Sequence, residues 1–130
     1  MKDFYLLFVY GTLKQNCRAH GFLKDSIFVG EATTKPLYSL YSCLTYPALV
    51  KDDASGTNIT GEVYKINSQI KKVLDQYEGV EYGLYTFEPI KLTKIDLKSE
   101  TNFVAGNDIN AYIYQGKLTN WEKIQEWTCF

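Results

Sequence analysis

The sequence predicts an α+β fold, a small mixed β-barrel with flanking short helices. Strand-like segments outnumber helical ones, and the two helical segments are not regularly interleaved with strands, which argues against a doubly wound parallel sheet. Tyr (11) and Phe (7) dominate the aromatic residues, and both favour strands. The 130 residues are 45% hydrophobic and contain no internal repeat or linker, so residues 1–130 read as a single domain with a real core.

Phe4–Tyr10 is a continuous apolar run, the pattern of a strand buried on both faces. Residues 37–50 mix apolar residues with Ser and Thr and are interrupted by Pro47, which predicts two short strands around a bend. Residues 52–58 read as a surface turn. Residues 59–66 set Ile59, Gly61 and Val63 against Thr60, Glu62 and Tyr64, a strand alternation. The clearest helix follows. Ile70, Val73, Leu74 and Tyr77 fall at offsets 0, 3, 4 and 7, one helical face. Asn67 or Ser68 can cap its start, and Gly79 sits where a left-handed cap ends it near Tyr77 or Glu78. Residues 84–95 are strand-like, with Pro89 marking an edge or bulge. Residues 98–110 read as a polar loop able to act as a lid, and 110–115 as another strand. Thr119 with Glu122 three residues later predicts a capped last helix over 119–127, packed by Trp121 and Trp127.

Composition narrows the function. Lys and Arg (14) balance Asp and Glu (15) at a net charge of −1, so nothing electrostatic favours nucleic acid or an anionic membrane as partner. The seven-residue apolar run is too short to span a bilayer. The three cysteines, Cys17, Cys43 and Cys129, are odd in number and scattered, unlike a disulfide framework. A reducing compartment is expected, and the chain reads as cytoplasmic and unprocessed.

Few residues can carry chemistry. His20 is the only histidine, and although Cys17 is close to it, no second ligand pair exists, so neither a metal nor another cofactor is expected. A loop histidine is the simpler reading than a catalytic one. Gly11 lacks the continuation of a phosphate-binding loop. Glu78 stands out because it lies at the C-terminal end of the helix, where the macrodipole disfavours a carboxylate, with Asp75 in the same turn. Both effects raise a carboxyl pKa toward the range of a general base. Lys14 and Arg18 follow the first strand and could draw a substrate carboxylate, a solvated loop being the simpler fate of both.

Five short motifs, in order, resemble the γ-glutamyl cyclotransferase-like family, in its short γ-glutamylamine cyclotransferase and butirosin-biosynthesis cyclotransferase members. They are Tyr10–Leu13, Tyr46–Leu49, Gly61–Tyr64, Leu74–Gly79 and Ala111–Tyr114, and the likeness runs from Phe8 to about Trp127. The resemblance implies that Glu78 is the general acid/base. It also implies that Tyr10, Gly11, Thr12 and Leu13 hold a small γ-glutamyl substrate through backbone groups, and that 5-oxoproline is released. Tyr114, the tyrosine of the last motif, joins the substrate residues, although core packing is the commoner role for it and for Tyr112. The alternative is a non-catalytic binding module of the same fold. One departure stands out. Many members carry an arginine two residues after the tyrosine that follows the Glu-Gly pair; here Tyr85 is followed by Thr86 and Phe87, which suggests a more apolar acceptor.

Overall fold

The computed structural model describes residues 3–42, 46–98, 104, 106–118 and 120–129. Strands β1 (Phe4–Val9), β2 (Ile27–Thr34), β3 (Tyr38–Ser42), β4 (Pro47–Lys51) and β5 (Thr60–Asn67) precede the helix α1 (Ser68–Tyr77). Strands β6 (Tyr85–Pro89), β7 (Leu92–Leu97), β8 (Ile109–Tyr114) and β9 (Glu122–Ile124) follow it. Six strands form one sheet in the order β6-β8-β1-β5-β2-β7, and three form a second in the order β4-β3-β9. Among the described residues only the β1–β8 pair is parallel.

The apolar run of β1 explains its central place. Leu6, Phe8 and Tyr10 point into one core, shared with Tyr38, Leu40 and Leu49 of the smaller sheet. Leu7 and Val9 point into a second, shared with Leu74 of α1 and Leu23 of a 3-10 turn at His20–Leu23. Period-two alternation thus feeds two cores from one strand. The same double burial takes in Tyr64 of β5, so its alternation does not separate core from solvent. Helix α1 has the expected bounds: the Asn67 side chain accepts from the Ile70 N–H, and Gly79 has φ 67°. Of its apolar stripe only Leu74 is buried; Val73 and Tyr77 are exposed.

The sheet does not close into a barrel. Strands β6 and β7 are its two edges, yet only Ile90 and Lys91 separate them in sequence, so at this end the edges lie within about 11 Å. The connector's backbone is committed elsewhere. Ile90 N–H donates to Ile109 O, Lys91 N–H to the Tyr38 hydroxyl, and Lys91 O accepts from Lys35 N–H. Pro89 has no N–H to offer a closing ladder. As expected, Pro89 lies on an edge strand.

Three further expectations change. The segment predicted as a last helix contains β9, whose backbone pairs with β3; the long-range ladder overrides the capping-box signal, and Thr119 itself lies outside the described residues. Trp121 packs against Tyr46 and Tyr114 instead of anchoring a helix. Cys17 and Cys129 form a disulfide across 112 residues of sequence, against the expectation of unpaired cysteines. The spacing could not show it, because the pairing depends on the C-terminal segment folding back onto the loop after β1. Of the polar loop and lid expected over 98–110, residues 99–103 and 105 lie outside the described residues, and Ile109 and Asn110 belong to β8.

Candidate active site

A cavity of about 220 Å³ opens at the C-terminal end of β1. Each wall comes from a different element. Tyr10, Gly11, Thr12 and Leu13 form one side, Tyr77 and Glu78 end α1 on another, Pro47 opens β4, and Tyr85 and Tyr112 project from β6 and β8.

The loop after β1 is held by its carbonyls. Gly11 O accepts from Lys14 N–H at 3.0 Å and Thr12 O from Ala19 N–H at 2.9 Å, while the His20 ring Nδ1 meets Leu13 O at 2.8 Å. Among the described residues the N–H groups of Gly11, Thr12 and Leu13 donate to no protein acceptor. Three successive amide donors therefore remain available beside the cavity. Buried donors are otherwise almost always paired, so this cluster calls for an acceptor from solvent or ligand. Gly11 is required by space: a Cβ there would overlap the Pro47 ring, with Cδ at 2.9 Å. Gly11→Ala is expected to destabilise the fold by about 1–3 kcal/mol and to push the loop off Pro47. Thermal denaturation checks this; a Tm equal to wild type would show that the Pro47 contact yields freely.

Glu78 caps α1 and lines the cavity half-buried, its backbone N–H donating to Leu74 O at 2.8 Å. Burial raises its carboxyl pKa from 4.5 to about 7. The direction is the one expected from sequence, but the cause differs. Asp75 adds nothing, because Lys71 Nζ (2.9 Å) and the Tyr112 hydroxyl (2.8 Å) already engage its carboxylate. Long-range packing desolvates Glu78, and among the described residues no hydrogen bond or ion pair compensates it.

Three phenols surround that carboxylate. The Tyr10 hydroxyl donates to Tyr112 O at 2.7 Å and the Tyr85 hydroxyl to Pro47 O at 3.1 Å. Burial raises the pKa of Tyr10, Tyr85 and Tyr112, and the charge of Glu78 adds to each shift. All three remain neutral donors near neutral pH. Tyr114 is not part of the lining; its ring packs on Tyr85 and Trp121, centroids 5.3 and 5.2 Å away. Tyr112 takes the cavity position instead. β8 is buried on both faces, so the alternation alone could not choose between them. Tyr85 could have been found from its place after the Glu-Gly motif.

Phe87 also lies outside the lining, packed on Tyr5 and Tyr112 with Lys71 Nζ 4.6 Å above its ring. The apolar acceptor suggested by Phe87 therefore has no direct support at that position. Of the two basic residues after β1, Lys14 is tied to Trp127 O and Glu126, whereas Arg18 lines the cavity. His20 acts as a loop tie, as its simpler reading held. Among the described residues no cluster of three or more His, Cys, Asp or Glu could hold a metal ion, and no helix is long and apolar enough to cross a membrane.

The chain is similar to known proteins over most of its length. The family profile "Gamma-glutamyl cyclotransferase, AIG2-like" matches residues 7–128. A Vibrio cholerae protein named "Putative gamma-glutamylcyclotransferase" is 38% identical over 101 residues, covering 75% of this chain and 85% of that one. A similarly named Arabidopsis thaliana protein is 34% identical over 94 residues, and the match spans half of its length. Among solved structures, a mouse AIG2-like protein aligns over 88% of this chain and 78% of its own, with TM-score 0.69 and 22% identity. A uropathogenic E. coli-specific protein aligns over 95% and 90%, with TM-score 0.74 and 20% identity. At such identities the solved structures speak for the fold. The profile spans nearly the whole sequence and the Vibrio relative most of it, so this chain belongs to the Gamma-glutamyl cyclotransferase, AIG2-like family.

Proposed function

We propose that the protein cleaves a γ-glutamyl amine by intramolecular cyclisation, releasing 5-oxoproline and the free amine, with Glu78 as general acid/base. The observation that carries this reading is a carboxyl with pKa about 7 in a cavity that also presents three unpaired amide donors.

The chemistry needs little more. The substrate α-amino nitrogen attacks its own γ-carbonyl carbon, so no side-chain nucleophile is required and the proximity advantage is built into the substrate. The α-ammonium gives one proton to solvent before attack; Glu78 takes a second from the attacking nitrogen as the new N–C bond forms. Glu78 passes that proton to the leaving nitrogen as the old C–N bond breaks, and the released amine takes up the other from solvent as its ammonium, so no net proton is consumed overall. A carboxyl titrating near 7 serves both directions close to neutrality. The Gly11, Thr12 and Leu13 amides can bind the substrate α-carboxylate or the oxyanion that develops on the γ-carbonyl. The neutral phenols of Tyr10, Tyr85 and Tyr112 wall the reacting atoms without adding charge.

Mass spectrometry tests the reading. Purified protein incubated with a panel of γ-glutamyl amines and dipeptides is expected to yield 5-oxoproline from at least one of them. Silence across the panel, with saturable thermal shifts on the same ligands, would leave a binding module of this fold.

A further inference from the structure

The cavity's size divides the substrate. At about 220 Å³ it falls below the roughly 300–1,000 Å³ of sites that enclose drug-sized ligands. It can take the glutamyl part, and the substituent of the leaving amine must then extend over the mouth. The mouth has a distinct character. Tyr77 and Leu84 belong to the lining yet are 43% and 41% exposed, and Phe22, 38% exposed, packs at a tilt against Tyr77 at a centroid distance of 4.8 Å. These side chains form an apolar shelf in contact with solvent. Among the described residues Arg18 is the only cation of the lining, and its guanidinium has no hydrogen-bond or ion-pair partner.

Resting on the cyclotransferase reading, we propose that the leaving amine is an apolar or aromatic amino acid, its side chain on the Phe22–Tyr77–Leu84 shelf and its carboxylate on Arg18. The three amides of the loop then serve the glutamyl end, and Arg18 serves the other anion at the opposite end of the same substrate. A guanidinium suits a carboxylate, which it can engage through two N–H groups. A polyamine leaving group would instead bring positive charge toward Arg18, and among the described residues the lining's one carboxylate is Glu78, already assigned to the proton transfers. An apolar substituent also offers the shelf aromatic contact that an ammonium chain does not.

Calorimetric titration of the Glu78→Gln protein, which holds ligands uncleaved, tests the subsite separately from the chemistry. γ-Glutamylphenylalanine is expected to bind at least about tenfold tighter than γ-glutamylphenethylamine, which keeps the ring and lacks the carboxylate. It is expected to bind tighter still relative to γ-glutamylputrescine. Adding Arg18→Gln is expected to bring the dipeptide down to the level of the phenethylamide. Equal affinities for the three ligands, a loss in Arg18→Gln common to all of them, or no binding at all would overturn the subsite. The predicted ranking, paired with no 5-oxoproline from the wild-type protein, would uphold the subsite and overturn the cyclotransferase reading.

Discussion

Glu78→Gln is expected to lower kcat for cyclisation by about two to four orders of magnitude, the range lost with a positioned general base. The amide keeps the shape of the carboxyl and cannot shuttle a proton. Wild-type kcat/KM is expected to rise with pH through about 7, where the buried carboxyl ionises, and the residual activity of the variant is expected to lack that limb. Stability should move the other way. An unfolded Glu78 titrates near 4.5 and the folded one near 7, so between these values the folded state holds a proton that the unfolded state has lost. Glu78 therefore costs stability increasingly as pH rises through this window and costs its full amount above it. Allowing for partial solvent access, that amount is roughly 2–3 kcal/mol. Glu78→Gln is accordingly expected to raise Tm by several degrees at pH 8 and hardly at all at pH 4. Unchanged kcat would remove Glu78 from the chemistry. A Tm difference independent of pH would remove the burial account of its acidity.

The location of Glu78 was legible in the sequence because helix ends are local. The period of α1, the Asn67 cap and Gly79 placed it within a residue. Its acidity was only half legible. Macrodipole and Asp75 are local causes, and the operating one is burial supplied by strands far away in sequence, with Asp75 already engaged by Tyr112 of β8. The choice between Tyr112 and Tyr114 was illegible for a related reason: alternation identifies a buried face only where the other face meets solvent, and β8 has two buried faces. Strand β2 carries no clear local signal. Its Gly30 and Glu31 break the apolar pattern, and a register shift between Phe28 and Gly30 breaks its period against β5. β9 depends on pairing with β3, 80 to 84 residues earlier, and the open sheet edges on the connector's hydrogen bonds to Ile109, Tyr38 and Lys35; neither partner choice is written in local propensity.

The second large effect concerns the C-terminal segment. Cys17 lies in the loop whose amides face the cavity, and its disulfide to Cys129 fastens that loop to the chain end. Lys14 adds a hydrogen bond to Trp127 O at 2.7 Å and a 3.6 Å contact with Glu126, so loop and tail form one tied unit. Closing a loop of this length removes denatured-state entropy worth about 5 kcal/mol in the chain-entropy account. The double variant Cys17→Ser/Cys129→Ser, or wild type in excess dithiothreitol, is expected to lose on the order of 10–20 °C in Tm. The effect should reach the site as well. Thr12 O is bonded to Ala19 N–H and Gly11 O to Lys14 N–H, so releasing the tail loosens the two ends of the turn that positions the free amides. KM is then expected to rise more than kcat falls, because the loop holds substrate while Glu78 sits on α1. Thiol titration of the unfolded, unreduced chain gives an independent check. The bridge leaves Cys43 as the single reactive thiol of the three cysteines. Three reactive thiols, with a Tm indifferent to dithiothreitol, would show that the noncovalent ties of Lys14 hold the tail without the bridge.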